Sequence, residues 1–349
     1  MEFTGAFGTI RISTRRANPF TYDLLNFSEF SSDPPVEMAR LATDVEEVEE
    51  TFKAVGQDLS CRQTEGGSFH CKTATSRIGE IGAIWQRCDK SVSIQAEAPL
   101  GYVYLTIPIS LSGFGKFNGE SYTDRKLLVY QPGTQFDLSG SGLTGGDVLV
   151  LPENRFQEIA EALFPDTISL ERDGSRMIQR DRESVYRVRR LIQNLIADPT
   201  THQDVEHISA VIAEIISWVA DSSHPGVGER LTGNKARGLI ARRARDILED
   251  KYCDSISAEE ICRELGVSLR TFNRSFRDYF NITPIQYLKN LRLDKVHRNL
   301  ASGAASTQSV TELALRNGFT HLGRFSVAYR AHFGESPRDT LDGVSERKN

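Results

Sequence analysis

The last third of the chain repeats itself, and the repeat restricts what it can fold into. "SAEEICRELGVSLRTFNRSFRDYFNITP" (257–284) matches "SVTELALRNGFTHLGRFSVAYRAHFGESP" (309–337). Ile261 corresponds to Leu313, Gly266 to Gly318 and Ser268 to Thr320, each 52 residues on. After one inserted residue the offset becomes 53, aligning Phe272 with Phe325, Phe276 with Tyr329, Phe280 with Phe333 and Pro284 with Pro337. Self-similarity at a fixed period marks each unit as one supersecondary piece. Each reads as a short helix, a turn at glycine, a Ser or Thr N-cap and a second helix. That is helix-turn-helix logic: the glycine permits the turn and the cap satisfies free backbone N–H groups.

The second helix of the first unit exposes Arg270, Asn273, Arg274 and Arg277. Arginine can bond guanine bidentately and asparagine can bond adenine, so this face carries major-groove chemistry. For any single arginine a solvated charged face is the plainer reading; repeated caps, turns and basic faces argue together for DNA. Between the units, "PIQYLKNLRLDKVHRNL" reads as a helix. At 1.5 Å per residue its length is roughly 25 Å, a spacer able to set two reading helices in successive major-groove turns roughly 34 Å apart. Charge agrees. From Arg230 onward there are 21 Lys+Arg against 14 Asp+Glu, a net +7, while the remainder has 21 against 33, a net −12. A basic module attached to an acidic body points to nucleic acid.

Residues 238–341 resemble the DNA-binding domain of the AraC/XylS family of bacterial transcription regulators. The resemblance rests on "ICRELGVSLRTFNRSF", "TPIQYLKNLRLDKVHRNL" and "VTELALRNGFTHLGRFSVAYRAHFGESP". It implies that one chain supplies both helix-turn-helix units, binds promoter DNA and works with RNA polymerase. By position Ser268, Arg270, Asn273 and Arg274 would meet DNA in the first unit, and His321, Leu322, Gly323 and Ser326 in the second. Val327 stands where an arginine usually follows "FS", so the second unit is expected to read DNA less directly.

Ahead of this domain (235–341) the chain divides into an arm (1–42), a β-rich domain (43–165), a helical hairpin (177–221) and a linker (222–234). "TDVEEVEETFKAV" reads as a helix opened by a capping box of Thr43 and Glu46. From about 60 to 152, short β-rich runs alternate with Gly, Pro and Asp turns, which suggests a sandwich or small barrel. "RFQEIAEALF" follows as a helix. In the hairpin, Val185, Val188, Ile192 and Leu195 face Val205, Ile208, Ile212, Ile215 and Val219 in heptad-like seams. These are closed within the hairpin or against a second subunit. The AraC-type resemblance implies that the β-rich part is a cupin-like sensor. The expected fold class is therefore α+β multidomain: a cupin-like β-barrel sensor, a helical hairpin linker and an all-α domain with two helix-turn-helix motifs.

A catalytic cupin needs clustered His, Glu or Asp around a metal, and His70 is the one histidine in this region. No catalytic residue, metal or cofactor is expected. Trp85, Tyr102, Tyr104 and Phe136 read as core or rim aromatics. The five cysteines form no C-x-x-C pair and fit a reducing cytosol. No apolar run approaches the length of a membrane span, so the chain reads as cytoplasmic.

The arm carries "IRISTRR", with Arg11 and Arg15 four residues apart and Arg16 adjacent. Arginine forks suit phosphates and guanine edges. R-x-x-x-R resembles the arm motif of PilZ-type receptors for cyclic di-GMP, whose barrel carries D/N-x-S-x-x-G; here "DLSGSG" supplies Asp137, Ser139 and Gly142. Each motif also recurs elsewhere, as at Arg172/Arg176, Arg270/Arg274 and "DSSHPG", so order and placement carry the comparison. The whole resembles a class of cyclic di-GMP-responsive AraC-like regulators, the CuxR type. It implies a ligand site of Arg11, Arg15, Arg16, Asp137, Ser139 and Gly142, homodimers formed on ligand binding, and activation of genes such as those for exopolysaccharide. The alternative is an AraC-type regulator responding to another small molecule, such as a carboxylate.

Overall fold

The computed structural model describes residues 2–5, 8–11, 38–54, 56–78, 81–110, 115–163, 175–197, 212–219, 235–302 and 309–347. At the start, β1 (Glu2–Gly5) and β2 (Gly8–Arg11) pair as an antiparallel hairpin. β3 (Met38–Ala42), which the sequence places at the end of the arm, instead edges a seven-stranded sheet.

That sheet runs in the order β14-β11-β8-β13-β6-β5-β3. Its other members are β5 (Cys71–Ile78), β6 (Ile81–Cys88), β8 (Tyr102–Ser110), β11 (Lys126–Tyr130), β13 (Thr144–Pro152) and β14 (Arg176–Gln179). A five-stranded sheet, β10-β9-β12-β7-β4, contains β4 (Leu59–Gln63), β7 (Val92–Glu97), β9 (Gly115–Phe117), β10 (Glu120–Tyr122) and β12 (Gln135–Gly140). Neighbouring strands in both sheets are antiparallel.

β11 shows why its sequence reads as an unbroken apolar run. Successive side chains point to opposite faces of a strand. Leu127 and Val129 join the core shared with the helices behind the sheet, whereas Leu128 and Tyr130 pack with Phe117 and Phe136 from the other sheet. Both faces are covered, so neither can be polar.

α1 (Val45–Ala54) lies against β4, and α2 (Glu153–Leu163) follows β13. The cap of α1 sits one residue later than the sequence suggests. Asp44 accepts from the Glu47 N–H at 2.8 Å, and the Thr43 N–H donates back to Glu47 at 2.6 Å. Glu46 is thereby left for a distant partner.

α3 (Arg182–Ala197) and the helical residues 212–219 close their seam inside the chain. Val185, Val188, Ile192, Ile212, Ile215 and Val219 are buried in one cluster with Val103, Leu105 and Ile107 of the sheet. Val205 and Ile208 lie outside the described residues. A buried triad pins α3 down: Asp147 takes Arg87 at 2.8 Å and Arg189 at 2.9 Å.

The C-terminal third is helical: α4 (Lys235–Asp250), α5 (Ala258–Leu265), α6 (Leu269–Phe280), α7 (Pro284–Ala301), α8 (Val310–Arg316), α9 (Leu322–Phe333) and α10 (Pro337–Arg347). α7 belongs to two cores. Tyr287 and Leu291 join α4, α5 and α6, while Leu293, Val296 and Leu300 join α8 and α9.

Candidate nucleic-acid interface

Each helix pair is built by the same local chemistry. Ser257 and Glu260 form a reciprocal capping box on α5, as Ser309 and Glu312 do on α8. The turns fall at Gly266 (φ 67°) and Gly318 (φ 82°), left-handed conformations that only glycine adopts without strain. Ser268 then caps α6, its Oγ accepting from the Thr271 N–H at 3.2 Å. The second unit departs from expectation here. The N-cap of α9 is His321, not Thr320, and it makes no side-chain cap bond. The single inserted residue explains this: 53 residues beyond Ser268 is His321.

At about 100° per residue, one stripe of each second helix faces inward and the opposite stripe faces solvent. On α6, Phe272, Phe276, Tyr279 and Phe280 are buried, and Arg270, Arg274 and Arg277 are exposed. Arg274 reaches Asp278 at 3.5 Å, an exposed pairing that leaves its guanidinium accessible. Asn273 is half-buried and donates to the Leu269 carbonyl at 3.0 Å. On α9, Phe325, Tyr329 and His332 face inward. His321, Leu322, Gly323, Ser326, Val327 and Arg330 are exposed.

Arg292 of α7 fastens the two units together. It donates to the carbonyls of Tyr252 at 2.6 Å, Asp254 at 2.8 Å and Gly318 at 3.1 Å. The turn of the second unit is thus tied to the segment just after α4.

The β-rich body grips this domain through a polar seam. Asp137 of β12 accepts from Arg245 at 2.5 Å and from the Tyr279 hydroxyl at 2.8 Å. Burial, with Asp137's charge next, pushes the Tyr279 hydroxyl well above its usual range, so it stays a donor. The seat for Tyr279 is the Asn118–Gly119 turn between β9 and β10, where both residues have positive φ. That pair is the preferred two-residue hairpin loop, and a Cβ at Gly119 would lie 2.4 Å from the Tyr279 ring. Further along, Arg62 meets Glu249 at 3.1 Å and Asp294 at 3.3 Å. Arg298 meets Glu49 at 2.8 Å and Glu46 at 3.1 Å. The second unit is held at backbone carbonyls: the Gly67 N–H donates to those of Ala331 and His332 at 3.0 Å, and Gln63 Nε2 to that of His332 at 3.1 Å.

The residues singled out for a ligand fall in different places. Asp137 is in the seam. Ser139 lines a cavity of about 450 Å³ beside Lys116 and Asn281. Gly142 (φ 66°) donates its N–H to Ser91 Oγ at 2.7 Å. Arg11 ends β2 opposite Glu2, its side chain outside the described residues, as are Arg15 and Arg16 altogether. Between the sheets lies a cavity of about 70 Å³ lined by Gln86, Tyr104, Thr106, Tyr122, Tyr130 and neighbouring apolar groups. Pockets that hold drug-sized ligands run to about 300 Å³ or more, so this interior has no room for a dinucleotide. Among the described residues there is no cluster of three metal-ligating side chains, and no helix is long and apolar enough to cross a membrane. Sequence reasoning missed Arg62, Arg245, Tyr279 and Arg298. Only the Asn-Gly turn beneath Tyr279 left a readable signal.

Comparison with known proteins gives a family match inside this third of the chain. The helix-turn-helix domain family matches residues 261–343. The XylDLEGF operon transcriptional activator 2 of Pseudomonas putida is 37% identical over 119 residues, which is 32% of this chain and 76% of that protein. The probable thc operon regulatory protein of Rhodococcus erythropolis is 35% identical over 108 residues, 31% of this chain; the match spans only 32% of that relative's length. Among solved structures, a probable AraC family transcriptional regulator from Rhodopseudomonas palustris is 31% identical, covering 30% of this chain and 97% of that one with a TM-score of 0.29.

Proposed function

Because the chain belongs to the AraC/XylS family of transcription regulators, we propose that it is a promoter-binding transcription activator switched by a small molecule, cyclic di-GMP. The DNA reading is carried by the exposed stripe of Arg270, Arg274 and Arg277 on α6, oriented relative to the second unit by Arg292.

The ligand reading is carried by Asp137. This member of the D-x-S-x-x-G motif holds Tyr279 of the reading helix and Arg245 behind it. A guanine donating its N1–H and amino group to that carboxylate would take both oxygens from the DNA-binding third. Arg11 and Arg15 would grip phosphate and guanine and draw the arm across the β-rich body. Ligand at about 100 times its dissociation constant supplies roughly 2.7 kcal/mol of linkage, comparable with a charged hydrogen bond of about 1.5–3 kcal/mol. With α6 freed from that grip, the domain then binds paired promoter sites as a dimer. The described part of the hairpin seam is packed against the sheet.

Calorimetric titration of cyclic di-GMP into wild type, Arg11→Ala, Arg15→Ala and Asp137→Asn tests the ligand. Binding by wild type, weakened at least tenfold in each variant, is expected. No heat from wild type removes cyclic di-GMP, and unchanged binding by both arginine variants removes the arm.

A further inference from the structure

Gly323 and Val327 of α9 have no explanation inside the chain. Val327 is 72% exposed, and a Cβ placed on Gly323 would meet nothing within 4 Å. Gly323 stands in the first turn of α9 without a positive φ, so its backbone conformation does not call for glycine, and an exposed valine gains nothing from burial. Neither packing nor a turn requires them. They stand four residues apart, which puts them one above the other on the same face.

The repeat says which face that is. At the 53-residue offset, Gly323 corresponds to Arg270, Val327 to Arg274 and Arg330 to Arg277. Partial exposure of leucine is common to both units, since Leu269 and Leu322 are counterparts, 44% and 37% exposed. Val327 is different, because its counterpart is an arginine. The middle of the second reading face is therefore apolar and lacks a side chain one turn back.

We propose that Val327 is a specificity-determining residue that reads thymine through its C5-methyl group, with Gly323 letting the α9 backbone approach the base edges. The inference rests on the reading of the chain as a DNA-binding regulator and goes beyond it by assigning a base to the second unit. The chemistry is direct. In the major groove only thymine presents a methyl group, and apolar side chains recognise it by contact. Glycine is the residue that permits close approach of backbone to a ligand. Ser326 borders this stripe, but its hydroxyl is engaged with the Leu322 carbonyl at 3.2 Å. The first unit reads guanine with long charged arms; the second presses closer and reads a methyl.

The test uses the full-length chain. A preferred site is selected from random duplex DNA, and the half read by the first unit is identified as the one relaxed by Arg274→Ala. In the other half, deoxyuridine replaces thymidine one position at a time, which removes only the methyl. Wild type is expected to lose about fourfold in affinity at one or two positions, the worth of one buried methyl. Val327→Ala should lose that sensitivity, and Val327→Arg should shift the preferred base there toward guanine. Uniform indifference to deoxyuridine across that half, or undiminished sensitivity in Val327→Ala, overturns the proposal. A chain that enriches no sequence overturns the DNA reading as well, a result plainly different from a site with only one readable half.

Discussion

The two helix pairs share an interior and differ most in the exposed middle of their second helices. Inside, Phe272, Phe276 and Phe280 of the first unit answer to Phe325, Tyr329 and Phe333 of the second, and each pair turns at a left-handed glycine. Outside, the first unit has a serine-capped reading helix, a stripe of three arginines and a side-chain grip from Asp137. The second has a helix without a side-chain cap bond, a glycine and valine where two of those arginines stand, and a grip by the Gly67 N–H and the Gln63 amide on its backbone carbonyls. Packing constrains an interior tightly, because a buried residue must fill its space. The surface is free to take separate duties. The first unit carries three arginines on that stripe and is tied to the β-rich body by the Asp137 side chain, whereas the second has a glycine and a valine there and is tied through Gly67 and Gln63.

The comparison can be broken first at its shared part. Phe272→Ala and Phe325→Ala, at positions 1% and 2% exposed, should each cost about 3–5 kcal/mol in denaturant unfolding of the full chain. A cost below about 1 kcal/mol for either one means that unit is not packed as its twin is. The grip comes next. Asp137→Ala leaves Arg245 and Tyr279 without their carboxylate and should weaken docking by about 2–3 kcal/mol. Hydrogen exchange should then rise in α6 and not in α9; equal rises would mean the units are held as one piece. The caps give a smaller contrast. Ser268→Ala should destabilise by about 1 kcal/mol, while His321→Ala, which removes no cap bond, should be near neutral.

The smallest effect is a pH dependence of the seam beneath the second unit. His297 of α7 is buried, which works against its charged form. The Glu46 carboxylate, 3.9 Å from Nδ1, outweighs this with help from Asp44 and Asp294 and raises its pKa above the ordinary 6.5. Glu335 also faces it at 4.0 Å, and Phe333 stacks on the ring. The stabilisation is complete below the unfolded pKa and fades as pH rises through the raised one. Asp44, pushed up to about 6 chiefly by burial with Glu46's charge adding to it, sheds its proton in the same direction. Denaturant midpoints measured from about pH 5.5 to about pH 8.5 should therefore fall at the alkaline end, and His297→Gln should flatten part of that fall.

Much of the C-terminal third was legible because the repeat checks itself: two copies of each glycine turn and aromatic ladder leave little freedom, while the capping boxes on α5 and α8 come from the structure. The cap at His321 was missed because one inserted residue shifts the helix start while leaving Thr320, a good capping type, just outside. In the β-rich body the strands could be read from composition, but their order could not, since register with a strand tens of residues away leaves no local trace. The seam was invisible for the same reason. Asp137 carries a motif that suggested a ligand, whereas its partners Arg245 and Tyr279 are single charged or polar residues 108 and 142 positions away. In sequence Val327 is a departure from the family pattern; the structure adds that it is exposed on the face that corresponds to Arg274.

The central claim is that the two units read different bases by different chemistry. Selection of sites from random DNA by wild type, Arg274→Ala and Val327→Ala full-length chains addresses it directly. The expected result is a bipartite site, its halves about one helical turn apart, with guanine preference lost in one half for Arg274→Ala and thymine preference lost in the other for Val327→Ala. A single change that relaxes both halves, or a Val327→Ala site indistinguishable from wild type, would contradict it.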